Sequence, residues 1–160
     1  MSLFQKSVVN KYLQTLDSAE VEKAFQNFKS FYGDEERIEN IKLLKEENYQ
    51  EGFLREIFVD VLGYIINPDK NYNLTTEFKN ETDSKKADGA ILQDDKAIGV
   101  IELKSTKTTD MESIIDQAFN YKNHQTGCRY VITSNFEKLR FYIDNATEYE
   151  EFYLFDMDLE

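Results

Sequence analysis

Two short stretches decide how this chain is read: Asp88-Gly89-Ala90-Ile91 and Ile98-Gly99-Val100-Ile101-Glu102-Leu103-Lys104. Ala87 to Leu92 and Ala97 to Lys104 read as two strands of a hairpin around the turn-forming cluster Asp94-Asp95-Lys96. Gly99-Val100-Ile101 is nearly continuously apolar, as in a buried central strand. Glu102 and Lys104 are two apart, so on a strand they share a face. Pairing in the hairpin brings Asp88 to the same end. Two carboxylates and one ammonium then converge where an isolated charge is expensive. That set suits metal-assisted phosphodiester hydrolysis. Hard oxygen ligands hold Mg²⁺, the bound ion polarises a phosphate and lowers the pKa of bound water, and a lysine steadies developing charge. An isolated Asp…Glu-x-Lys also fits an ordinary structural ion pair. The apolar strand leading into Glu102 favours the chemical reading.

Ahead of the hairpin the chain reads as helical. Leu3, Phe4, Val8, Tyr12 and Leu16 recur at helical spacing. Asp17, with Glu20 three residues on, reads as a capping box. Val21, Phe25, Phe28 and Tyr32 then line one face up to Gly33. A shorter segment runs through Ile38, Ile41 and Leu44. Tyr49, Phe53, Ile57 and Val61 form a strong stripe ending at Gly63. After Pro68 the period changes to that of strands. Asn73 to Phe78 is the first strand, and the hairpin supplies the next two. Residues 111–123 return to helix through Ile114, Ile115, Ala118 and Phe119. Arg129 to Thr133 and Leu139 to Ile143 are further strands, and Phe152 to Phe155 is a last strand or a tail. A helix between strands predicts a crossover and a mixed sheet, an α/β (α+β) arrangement.

The 160 residues suit one domain, and 41% hydrophobic content excludes a disordered chain. No long apolar run is present, so no membrane span is expected. Cys128 is the only cysteine, which predicts a reducing, cytoplasmic setting. His124 is the only histidine, which supports neither a zinc site nor a serine-histidine triad. No phosphate-binding glycine loop for ATP and no methyltransferase motif occur. The net charge of −12 argues against tight nucleic-acid binding by this chain alone, since phosphate contacts dominate that affinity.

Asp88, thirteen intervening residues and Glu102-Leu103-Lys104 resemble the PD-(D/E)XK nuclease motif, with Ala87 where the proline usually stands. Gln117-Ala118-Phe119-Asn120-Tyr121 resembles the Gln-x-x-x-Tyr helix that follows the active-site strands in restriction nucleases. Lys45 to Leu54, continuing to Leu62-Gly63-Tyr64, resembles the acidic helix that precedes their sheet. Together, residues 45–143 are similar to the N-terminal endonuclease domain of type IIG restriction–modification enzymes. Type I restriction subunits, which share the Gln-x-x-x-Tyr helix, are the close alternative. Residues 1–44 are expected to be a helical extension packed on a nuclease core of residues 45–160.

The resemblance implies a Mg²⁺-dependent endonuclease, with Mn²⁺ able to substitute, acting on double-stranded DNA. Asp88, Glu102 and the backbone carbonyl of Leu103 would ligate the metal, and Lys104 would position the attacking water. A glutamate from the acidic helix would reach the site. Glu47, sixteen residues before Gly63, is preferred, with Glu51 as the alternate on the same helical face. Gln117 and Tyr121 would flank the site. A type IIG parent would carry methyltransferase and target-recognition regions outside this chain, and a type I parent an ATP-driven translocase. Cutting both strands implies a transient dimer on DNA. The acidic charge also motivates a non-enzymatic reading, a nuclease fold kept as an interaction module.

Overall fold

Asp17 and Asp34 each stand one residue ahead of a helix and turn their carboxylates onto the free amides of its first turn. Asp17 accepts from the amides of Ala19 at 2.8 Å and Glu20 at 3.1 Å, starting α2 (Ser18–Tyr32). Asp34 does the same for Glu36 and Arg37 at the start of α3 (Glu35–Leu43). Before them lies α1 (Lys6–Leu13). After them, α4 (Glu46–Phe53) runs on as a π-helical segment, Leu54–Val61. There the amide of Leu62 bonds the carbonyl of Ile57, five residues back, at 2.9 Å. Gly63, with φ of 81°, ends the run in the left-handed region.

The computed structural model describes residues 2–155. Its strands are β1 (Leu74–Lys79), β2 (Lys86–Gln93), β3 (Lys96–Leu103), β4 (Tyr130–Ser134), β5 (Lys138–Ile143) and β6 (Tyr149–Tyr153), with α5 (Glu112–Asn123) between β3 and β4. They form one sheet in chain order, antiparallel except for the parallel β3–β4 pair. The helix α5 makes the crossover that this parallel pair requires. Asp94 and Asp95, with φ of 50° and 61°, make the primed turn that suits the twist of the β2–β3 hairpin. The architecture is therefore the mixed sheet flanked by helices that the sequence suggested. The last strand lies earlier than Phe152–Phe155, since the charged run at Glu150 and Glu151 is an edge strand paired to β5. Leu154 and Phe155 instead turn into the core.

Each face of the sheet has its own apolar layer. One carries Ile101, Leu103, Ile132 and Leu139 and is covered by Tyr32, Ile38, Ile41, Tyr49, Phe53 and Phe58. The other carries Val100, Val131 and Tyr142 and is covered by Ile115, Ala118 and Tyr121 of α5. Residues 1–44 behave in two ways. The helix α1 contributes no buried residue, whereas α2 and α3 belong to the larger core. Among the described residues no helix is long and apolar enough to cross a membrane.

A polar chain, buried at its two tyrosines and half-buried at Arg37 and Glu56, ties these helices together. The hydroxyls of Tyr32 and Tyr49 lie 2.9 Å apart, and Tyr49 donates to Glu56 Oε2 at 2.6 Å. Arg37 donates to the other oxygen of Glu56 and to the carbonyl of Phe31. Every helix from α2 to the π segment thus contributes one member. Replacing Glu56 by Ala leaves the Tyr49 hydroxyl without its acceptor and takes the carboxylate from Arg37. The expected loss is about 2–3 kcal/mol in urea unfolding. A loss below about 0.5 kcal/mol, typical of a surface site, would show that the chain of bonds does not hold the helices.

Candidate active site

The strand β3 carries Glu102 into the interior, where the residue is 1% exposed. The last β2–β3 ladder pair is Gly89 with Ile101, just inside Asp88 and Glu102. Beyond it the backbone amide of Leu103 donates to Asp88 Oδ2 at 2.7 Å, so a carboxylate takes the place of a ladder carbonyl. In extended backbone the amide and carbonyl of one residue face the same neighbour. The Leu103 carbonyl therefore opens toward Asp88 as well. Lys104 leaves the strand end, with Nζ at 3.3 Å from Glu102 Oε1 and 3.7 Å from Glu46 Oε1. Gln50, one turn along α4, donates to Glu46 Oε1 at 3.0 Å and lies close enough to Asp88 to lower its carboxyl slightly against the larger effect of burial.

Burial dominates the electrostatics. It pushes the Glu102 carboxyl up, to about 8, and nearby Asp88 adds to the rise against the pull of Lys104. Burial also raises Asp88, opposed by the Leu103 amide. For Lys104, burial works against the charge, but Glu102, Glu46 and Asp88 outweigh it and hold the ammonium above its ordinary value. Three carboxyl groups around one ammonium carry more negative charge than Lys104 offsets once all are ionised, and either a proton on Glu102 or a divalent cation would balance it. Glu102 Oε2 is buried with no hydrogen-bond partner. That free oxygen, the Asp88 carboxylate and the Leu103 carbonyl are the hard donors such a cation takes. Among the described residues no group of three His, Cys, Asp or Glu side chains forms a ready cage. Two carboxylates and a carbonyl suit Mg²⁺, which keeps several waters.

The residues expected from sequence fall into two sets. Asp88, Glu102, Leu103 and Lys104 come together as described. Tyr121 is buried beside them, and its phenol is pushed up first by burial and further by Glu102 and Asp88. Gln117 is exposed and donates to the Tyr121 hydroxyl at 3.1 Å. With Lys85, Asp116 and Asn120 these two line a cleft. On the acidic helix, however, Glu46 is the glutamate that meets Lys104. Glu47 is exposed, and Glu51 is exposed and paired with Arg55 at 3.1 Å. The sixteen-residue separation from Gly63, taken from the resemblance, points to Glu47, whereas the i→i+5 bonding of Leu54–Val61 adds residues to each turn and it is Glu46 that faces Lys104. Thr133 and Ser134 end β4 and Asn135 opens the turn that follows, all three buried. Ser134 Oγ bonds the Lys138 carbonyl at 2.7 Å, and Asn135 Nδ2 the Thr108 carbonyl at 2.8 Å.

Residues 5–150 match a family model described as the type I restriction enzyme R protein N terminus. No curated protein matches the chain, and no solved structure does. The match favours the type I relative over the type IIG one, for which no support is found. Since the model spans the helices, the sheet and the whole carboxylate–lysine cluster, the chain belongs to the family of type I restriction enzyme R protein N-terminal domains.

Proposed function

We propose that this chain is a divalent-metal-dependent DNA endonuclease module, cutting phosphodiester bonds at Asp88, Glu102 and Lys104. One observation carries the proposal. A glutamate at the end of an apolar strand has one oxygen on a lysine and the other unpaired, beside a second carboxylate. Asp88, Glu102 and the Leu103 carbonyl would hold Mg²⁺ or Mn²⁺. When bound, the cation supplies Lewis-acid stabilisation of the phosphate and a more acidic water. Lys104, anchored between Glu102 and Glu46, presents its ammonium to the attacking water or a phosphate oxygen. Gln50 restrains Glu46 and faces Asp88. Gln117 and Tyr121 form the wall along which the DNA backbone would lie.

The charge of −12 makes this chain a poor finder of DNA by itself. In a type I enzyme the affinity would come from other parts of the assembly, including an ATP-driven translocase. Tethering to such a region raises the local concentration of substrate. Cleavage of both strands would bring two such modules together on the DNA.

Plasmid nicking with Mg²⁺ or Mn²⁺ tests the site. Asp88→Ala, Glu102→Ala and Lys104→Ala are each expected to lower the rate by about 10²-fold or more. Glu46→Ala should cost more than Glu47→Ala. Metal-dependent cleavage that survives both Glu102→Ala and Lys104→Ala would remove these residues from the mechanism.

A second expectation concerns pH. The Glu102 carboxyl is raised in the folded chain, from 4.5 to about 8, so the folded state holds its proton more tightly than the unfolded one. Its contribution to stability is present below the lower value and is lost as pH rises through about 8. Proton and metal compete for the same carboxylate. Mn²⁺ should therefore raise the melting temperature more at about pH 8.5 than at about pH 6, by roughly 2–4 °C. Glu102→Gln should abolish that difference. An equal Mn²⁺ shift at both pH values would place the metal elsewhere.

A further inference from the structure

Among the described residues three buried side-chain oxygens have no hydrogen-bond partner: Glu102 Oε2, Thr133 Oγ1 and Tyr142 Oη. They are not scattered. Glu102 on β3 is in register with Thr133 on β4, and Val131, two residues before Thr133, is in register with Tyr142 on β5. Residues in register, or two apart, share a face of the sheet. All three side chains therefore lie on the face covered by α5. None is more than 1% exposed. Native interiors pair most of their buried polar atoms. Three unpaired oxygens side by side are thus a single feature, and it includes the oxygen best placed to bind a cation.

The far end of this feature is anchored. Arg140 is in register with Thr133. Its guanidinium donates to Glu151 Oε2 at 2.6 Å and Glu112 Oε1 at 2.8 Å, and lies 4.2 Å from the Tyr149 ring centroid. Hydrogen-bonding attraction to Arg140 and Thr133 lowers the Tyr142 phenol against the larger effect of its burial, so both lie near the hydroxyl, although neither contact has the distance and angle of a formed hydrogen bond. The Tyr142 hydroxyl is therefore within the electrostatic reach of both.

We propose that Thr133 and Tyr142 are positioning residues that hold the free oxygen of Glu102 for the metal, through one internal water shared by the three oxygens. The inference rests on the metal-site reading above. An ionised carboxylate only accepts, while a threonine or tyrosine hydroxyl supplies one donor each. Two hydroxyls and a water satisfy Glu102 Oε2 without placing a second charge in the interior. Internal waters typically make about three hydrogen bonds to otherwise unpaired groups, the number offered here. Neither Thr133 nor Tyr142 touches the metal. Each acts through the orientation of Glu102.

The test is calorimetric titration of the intact chain with Mn²⁺, paired with thermal unfolding in the absence of metal. Thr133→Val keeps the shape and removes the hydroxyl. It is expected to weaken Mn²⁺ binding by about 10-fold or more, and Tyr142→Phe by a smaller factor, as for groups that orient a metal ligand. Thr133→Ser keeps the hydroxyl and should stay within about 3-fold of wild type. The metal-free stability of Thr133→Val should fall by no more than one net hydrogen bond, about 1 kcal/mol, because the hydroxyl gives up only its bond to the shared water. A purely structural threonine would lower stability and leave affinity alone. Unchanged Mn²⁺ affinity in Thr133→Val, with binding lost in Asp88→Ala, overturns this inference and leaves the metal site standing. If Thr133→Val does not fold, wild-type affinity in Tyr142→Phe overturns it. Absence of Mn²⁺ binding by the wild-type chain overturns the metal-site reading and this inference with it.

Discussion

Burying Glu102 is the constraint around which the structure is arranged. A carboxylate at 1% exposure costs several kcal/mol unless its charge is compensated. The compensation is incomplete by design of the site: Lys104 takes one oxygen, and the other has no protein partner. The same strand that buries Glu102 also fixes what can reach it. Leu103 turns into the larger core and Lys104 emerges where β3 ends. Asp88 stands where the β2–β3 ladder stops and takes up the backbone amide left free there. A site of this kind is unfavourable for folding alone, and in the proposed reading a divalent cation would share the charge.

Much of this was legible in the residues. The alternation and the apolar run around Gly99-Val100-Ile101 announced the hairpin. The two-residue spacing of Glu102 and Lys104 placed both on one face, and their ion pair at 3.3 Å is the direct consequence. Local rules also located α2, because Asp17 caps it through its own side chain. Gln117 and Tyr121 were singled out by resemblance to the Gln-x-x-x-Tyr helix, and their four-residue spacing makes them a contact, here a hydrogen bond at 3.1 Å.

What was not legible depends on geometry that no local rule encodes. The stripe Tyr49, Phe53, Ile57, Val61 reads as an uninterrupted α-helix, yet half of it is π-helical. Apolar spacing alone does not reveal the wider turn, because Phe58 and Ile57 are both buried and either period is satisfied. The phase shift matters only at the far end, where it presents Glu46 and Gln50 to the cluster and leaves Glu47 in solvent. Gln50 has no signature of its own in sequence. Its role arises because it lies one turn from Glu46 and faces Asp88 across the gap between helix and sheet. Thr133 was likewise visible only as the end of a strand. Its relation to Glu102 comes from the parallel register of β3 and β4, which the intervening crossover sets.

The N-terminal helices gain a functional meaning from this geometry. The family match begins at residue 5, well before the acidic helix. The polar chain from Tyr32 and Arg37 through Tyr49 to Glu56 crosses from α2 and α3 into α4 and its π segment. Tyr49 lies one turn from Glu46, and its ring packs edge-on against Phe136 at 4.8 Å, at the turn that follows β4. A rotation of α4 by one residue would break those contacts and withdraw Glu46 from Lys104. The phase of the acidic helix is therefore held from both sides, by α2 and α3 on one and by the β4–β5 turn on the other. Helices that carry no catalytic side chain thus determine which glutamate the site receives.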